Sequence, residues 1–208
     1  MTGATVKDVA PPPTESDCEK ADNQNTTGRG LLHSSEKTGS NTVSSMVVKQ
    51  NGSTIATRSA FSRWSRSRSK KFKKFFVRGQ PMNDPGRTTH PDKPGVEQCG
   101  AFHKHKKRPG RHKPDTGCDA EARLLYTYAK RQSKEPLDMV FKIDWRNADG
   151  NHAIPCPDCF RMMCHAKTNC NVKIYVCNKE NRPIELDNEC ENDDYEGFTR
   201  RINKMGGK

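Results

Sequence analysis

DTGCDAEARLL, residues 115–125, and PCPDC, residues 155–159, are the two stretches on which the reading of this chain turns. The first sets Asp119 two positions before Glu121, at the head of a segment with apolar residues at Ala122, Leu125, Tyr126 and Ala129. That spacing predicts an amphipathic helix, and acidic residues in its first turn are favoured by the helix dipole. The second stretch sets Cys156 and Cys159 at a turn that runs into CFRMMCHAK, a further predicted helix. Backbone N–H groups at a helix start lower a thiol's pKa and favour metal binding. Asp119 is thus a candidate carboxylate ligand, and the two cysteines are candidate thiolates.

Outward from these stretches, the chain alternates between strand and helix patterns. TVSSMVVK (42–49) and TIATRS (54–59), joined by QNGS, predict a hairpin. LDMVFKIDW (137–145), NVKIYVC (171–177) and RPIEL (182–186) predict three more strands, and DDYEGFTRRINK (193–204) a final short helix. The connection between the last two strands is only a few residues long. Parallel strands need a crossover of roughly a dozen residues or more, so this pair is expected to be antiparallel.

Composition bounds the rest. A chain of 208 residues with 31% hydrophobic residues and a mean hydropathy of −1.03 can build one modest core. No apolar run approaches the roughly 18 residues of a membrane span. The opening MTGATVKDVAPPPTESD lacks the basic start and apolar stretch of a signal peptide. The expected setting is therefore soluble, either cytoplasmic or delivered into a target cell. Residues 1–41 are polar and turn-forming, and read as a disordered leader. Nine cysteines, an odd count clustered late, show no framework of paired spacings. That favours reduced, metal-using thiols over a disulfide scaffold. Cys164 and Cys177 read as core thiols, Phe160, Met162 and Met163 as packing residues, and His165 as a helix-surface residue.

The charge of +12 is placed unevenly. Residues 58–113 hold 17 Lys and Arg against 3 Asp and Glu, while the flanking parts are each slightly acidic. Arg66, Arg68, Lys70, Lys71, Lys73 and Lys74 are interleaved with Trp64 and Phe75, and a second run holds Lys104, Lys106, Lys107 and Arg108. Basic residues neutralise phosphates and release counterions, and aromatic rings stack unpaired bases. Nucleic acid, DNA or RNA, is the expected partner. A solvated basic insertion, or a patch for targeting or anionic membranes, is the alternative.

Asp-Ala-Glu followed by Pro-Cys-x-x-Cys resembles the zinc-dependent cytidine and nucleic-acid deaminase superfamily, whose signature is His-x-Glu and then Pro-Cys-x-x-Cys. The resemblance spans roughly residues 42–190. GRHKPDTGCDAEARLL (110–125) is locally similar to tRNA adenosine deaminases. The expected antiparallel end of the sheet is instead similar to the branch that holds free-cytidine deaminases and bacterial toxin deaminases. The resemblance implies an α/β fold: a three-layer α/β/α cytidine-deaminase-like domain with a mixed sheet over residues 42–208, carrying a basic insertion at about 58–113. It also implies a zinc ion held by Asp119, Cys156 and Cys159. Three protein ligands leave a fourth position for water, zinc lowers the pKa of that water towards neutrality, and Glu121 would be the proton shuttle.

The implied reaction is hydrolytic deamination of a nucleobase in nucleic acid, cytosine ahead of adenine. A mutagenic toxin or effector is the implied context, and an immunity protein would then be a partner. Trp145 and His152, on the approach to the site, are candidates for lining its pocket. Two features depart from the family. Asp119 stands where a histidine or cysteine is usual, and an aspartate with two thiolates weakens zinc as a Lewis acid. Cys118, one residue earlier, is the competing ligand. The long basic insertion is the second departure, since a compact free-nucleoside deaminase does not need one. A deaminase of free nucleosides or nucleotides is the alternative function. A non-catalytic nucleic-acid-binding protein is another, with a structural zinc knuckle made of Cys156, Cys159, Cys164 and Cys170.

Overall fold

The computed structural model describes residues 10–37, 41–62, 69–77, 119–129, 135–145 and 154–205, with all side chains among them except those of 126–129 and 169. The helices are α1 (Glu15–Gly30), α2 (Ser34–Lys37), α3 (Lys70–Phe75), α4 (Ala120–Ala129), α5 (Pro157–Asn169), α6 (Asn188–Glu191) and α7 (Tyr195–Lys204). The strands are β1 (Thr42–Gln50), β2 (Ser53–Phe61), β3 (Leu137–Trp145), β4 (Val172–Cys177) and β5 (Pro183–Glu185).

β1 and β2 form the hairpin expected from the sequence. Its turn, Asn51–Gly52, has both residues at positive φ, 51° and 76°. Such a turn matches the right-handed twist of the strands it joins. Gly52 also has no room for a side chain, since a Cβ there would stand 2.8 Å from Cδ of Pro11. β1 pairs antiparallel with β3, β3 pairs parallel with β4, and β4 pairs antiparallel with β5, in the order β2-β1-β3-β4-β5. The antiparallel last pair is the one that the short connection requires. The chain is thus an α/β protein on a five-stranded mixed sheet.

Side chains alternate between the two faces of a strand, and here each face has its own cover. Met46, Phe141, Val176 and Ile184 align across β1, β3, β4 and β5. They join Leu124 of α4, Phe160 and Met163 of α5, and Phe198 and Ile202 of α7 in the main core. One position along, Val47, Val140 and Tyr175 align on the opposite face, where they meet Cys18 and Ala21 of α1. Phe160, Met162 and Met163 are packing residues, as expected.

The expectation of a disordered leader fails over residues 15–30, which form α1 and lie on the sheet. ESDCEKADNQNTTGRG is nearly devoid of apolar side chains, so no apolar stripe announces the helix. Its buried residues nevertheless keep helical spacing: Cys18, Ala21, Asn25 and Gly28. Polar contacts do the anchoring. Lys49 Nζ lies 2.7 Å from Asp17 Oδ2, and Arg29 Nε lies 2.7 Å from Asp144 Oδ2. Asn25 Nδ2 donates to the Lys142 carbonyl at 2.9 Å. Gly28 admits the α3 segment, since a Cβ there would meet the rings of Phe75 and Phe76 at 2.9 Å.

The expectation of reduced cysteines fails at five positions. Cys18 is bonded to Cys177, Cys164 to Cys190, and Cys170 is disulfide-bonded as well. The first pair is separated by 159 residues and the second by 26, so neither leaves a local spacing to read. Cys164 and Cys177 are therefore buried but are not free core thiols. Among the described residues, no helix is long and apolar enough to cross a membrane.

Candidate metal centre

Two helix starts meet at the site. Asp119 immediately precedes α4, and its carbonyl accepts the Arg123 N–H at 3.2 Å, the first hydrogen bond of that helix. Cys156 caps α5 with an extended backbone, and its Sγ accepts the Cys159 N–H at 3.4 Å. Pro157 follows at the first helical position, where a missing N–H costs nothing. Because α5 leaves β3 and returns to the parallel strand β4, its start lies beyond the carboxyl end of β3. That is where open α/β sheets bind ligands.

One ligand atom from each of Asp119, Cys156 and Cys159 lies within 4.8 Å of the others. Cys159 is buried, while Cys156 and Asp119 are partly exposed. Cys156 and Cys159 are also the described cysteines that stand outside the disulfides. A carboxylate oxygen and two thiols at this separation fit a tetrahedral zinc ion with one open position.

Glu121 stands beside this cluster and is 3% exposed. Its carboxyl is pushed up to about 8, first by burial and then by the negative charges of Asp119 and Cys156. The Cys159 thiol lies 3.4 Å from Asp119 Oδ2 and 3.5 Å from Glu121 Oε2. Its pKa is raised by its hydrogen bond with Cys156, by burial, and by the two carboxylates. A divalent cation among these donors inverts that balance and favours the thiolate.

The structure brings Asp119, Glu121, Cys156 and Cys159 together as the sequence suggested. Of the four apolar positions expected on the buried face of α4, Leu125 is buried and Ala122 packs against the main core, while the side chains of Tyr126 and Ala129 lie outside the described ones. Ala120, Glu121, Leu124 and Leu125 are buried and Ala122 is only partly so. The zinc knuckle is overturned, because Cys164 and Cys170 are both disulfide-bonded. Lys70, Lys71, Lys73 and Lys74 are exposed on α3. Phe75 is half-buried in a small cluster with Leu32, Val43, Phe61 and Phe76. Trp145 ends β3, partly buried against the main core. Trp64, Arg66, Arg68, Lys104, Lys106, Lys107, Arg108, Cys118 and His152 lie outside the described residues.

One neighbour of the site was not foreseen. The Tyr195 hydroxyl donates to the Pro155 carbonyl at 2.9 Å, and its ring packs edge-on against Phe160 at 5.6 Å. Burial raises the hydroxyl's pKa to about 12, with a further contribution from the charges of Cys156 and Cys159. No family model matches the chain, and no curated protein or solved structure matches it significantly.

Proposed function

We propose that the chain is a zinc-dependent hydrolytic deaminase of a nucleobase in nucleic acid, cytosine ahead of adenine. One observation carries this reading: the donors of Asp119, Cys156 and Cys159 converge within 4.8 Å, and a separate carboxylate, Glu121, is buried against them. A purely structural ion would not call for that buried acid. The strand order and the antiparallel β4–β5 pair also accord with a cytidine-deaminase-like domain of the toxin branch.

Asp119, Cys156 and Cys159 would hold the metal, which when bound supplies Lewis acidity and lowers the pKa of water. The chain's own chemistry then rests on Glu121. Its carboxylate would take one proton from the attacking water and pass it to the ring nitrogen as the water oxygen bonds to the amine-bearing carbon, then take the second proton from that oxygen and give it to the amine, so that the carbon–nitrogen bond breaks, ammonia leaves and the carboxylate is restored. Burial favours the neutral form of this carboxyl and so brings it towards the range in which one group can both take and give a proton. The exposed lysines of α3 would hold phosphates of the substrate. The disulfides suit a chain that passes through an oxidising compartment, as a delivered toxin or effector does. An immunity protein would be its partner there.

Sequencing DNA and RNA from cells that express the chain, beside cells that express its Glu121→Ala form, tests the proposal. Base transitions are expected with the first and not with the second. Turnover of free cytidine with no editing of either nucleic acid would move the reading to a nucleoside deaminase.

A further inference from the structure

The peptide unit that carries Cys156 is held from outside its own helix. Pro155 and Pro157 flank Cys156, and neither prolyl nitrogen can donate a hydrogen bond. The Pro155 carbonyl belongs to the same planar unit as the Cys156 nitrogen. A bond that fixes this carbonyl therefore fixes the plane from which Cys156 projects. Tyr195 makes that bond, at 2.9 Å. Its ring also packs on Phe160, the residue after Cys159, and Phe160 in turn stacks on Phe198 at 5.4 Å. One side chain thus grips both ends of the Cys-x-x-Cys turn.

Tyr195 is itself well anchored. Asp194 Oδ1 accepts the Gly197 N–H at 2.8 Å and so caps α7. Arg201 bonds the Glu189 carboxylate, and its Nη2 donates to the Glu185 carbonyl at 2.6 Å, tying α7 to the end of β5. Arg161 of α5 lies 2.9 Å from Asp193, just before α7.

We infer that Tyr195 is a positioning residue of the metal centre, holding residues 155–160 so that Cys156 and Cys159 face one ion. This inference rests on the reading of Asp119, Cys156 and Cys159 as metal ligands. It goes beyond packing, because packing needs only the ring, whereas the hydroxyl acts on the ligand's own peptide unit.

The test is cobalt(II) binding to the full chain, in which the visible d–d bands report ligand geometry and a competing chelator reports affinity. Tyr195→Phe keeps the ring and removes the hydroxyl. The expected result is an unchanged far-ultraviolet circular dichroism spectrum, shifted d–d bands, and an affinity lower by about tenfold, in the range seen when outer-sphere partners are removed. Asp194→Ala is the second variant. It keeps the hydroxyl but loosens the start of α7, and it should shift the bands in the same direction by less. Unaltered bands and affinity in a folded Tyr195→Phe protein overturn the inference. If Tyr195→Phe does not fold, unaltered bands and affinity in Asp194→Ala overturn it instead. A wild-type chain that binds no cobalt removes the metal reading and this inference together. Wild-type binding with indifferent variants removes this inference alone.

Discussion

The Cys159 thiol lies 3.5 Å from Glu121 Oε2, so a candidate metal ligand and a buried acid are direct neighbours. The acid is nevertheless separable from the ligand set. Glu121→Gln should retain stoichiometric zinc and the fold while turnover falls by about 10²–10⁴-fold, the usual contribution of general acid–base catalysis. Cys156→Ser and Cys159→Ser should lose the metal. Zinc stoichiometry and ammonia release measured on the same preparations check both outcomes. Equal turnover by Glu121→Gln would remove the acid from the mechanism.

The Asp17–Lys49 pair sets the acid limit of α1 docking. Burial alone would raise the Asp17 carboxyl, but hydrogen bonds from Lys49 and Thr14, with the Lys49 charge, lower it below its ordinary value. The pair's contribution is therefore complete above the unfolded carboxyl's pKa of about 3.9, and it is lost as pH falls through the lower, folded value. The stability difference between wild type and Asp17→Asn should be flat from about pH 5 to 8 and shrink below about 4. At neutral pH, Asp17→Ala leaves a buried lysine unpaired and should cost about 3 kcal/mol. Urea unfolding across this pH range measures both effects.

The two described disulfides should differ in worth. Removing Cys18–Cys177 should destabilise the chain by roughly 1.5 kcal/mol more than removing Cys164–Cys190, since loop-closure entropy grows with the logarithm of the enclosed length. Chemical denaturation of the two double Cys→Ser variants gives the comparison. A larger loss for Cys164–Cys190 would mean that strain or packing outweighs chain entropy here.

Exposed lysines and a half-buried ring should separate in binding experiments. Replacing Lys70, Lys71, Lys73 and Lys74 with Ala should flatten the dependence of log affinity on log salt by roughly 0.7–0.9 for each phosphate no longer neutralised. Phe75→Ala should leave that slope alone and lower stability by about 2 kcal/mol, because its ring packs against other side chains. A salt dependence that survives removal of all four lysines would place the nucleic-acid interface elsewhere.

What the sequence made readable follows from where its information is local. The hairpin, β3 and α5 carry apolar periodicity within their own spans, so they stand where expected. The site motif is local too, with Asp119 and Glu121 two positions apart and Cys156 and Cys159 three apart. The burial of Glu121 beside Leu124 and Leu125 is not an apolar signal, so the periodicity of α4 alone does not announce it. α1 was missed because it is held by ion pairs, a carbonyl contact and a disulfide rather than by an apolar stripe. Disulfide partners and the reach of Tyr195 to Pro155 join distant parts of the chain, and no window of sequence contains both ends.

The bond from Cys18 to Cys177 makes most of the chain a covalent ring. A single proteolytic cut anywhere between these residues leaves two pieces that run as one species until a reductant is added. A cut between β2 and α4 would put α1, β1 and β2 on one piece, and Asp119, Glu121, Cys156 and Cys159 on the other. The cut alone leaves the pieces tethered, and reduction alone leaves the chain continuous. Both together leave the hairpin and α1 held to the rest by noncovalent contacts alone, the β1–β3 ladder and the buried Arg29–Asp144 pair among them. Nicking followed by reduction thus turns an intramolecular fold into a complex of two pieces, whose persistence depends on concentration, although neither step does so by itself.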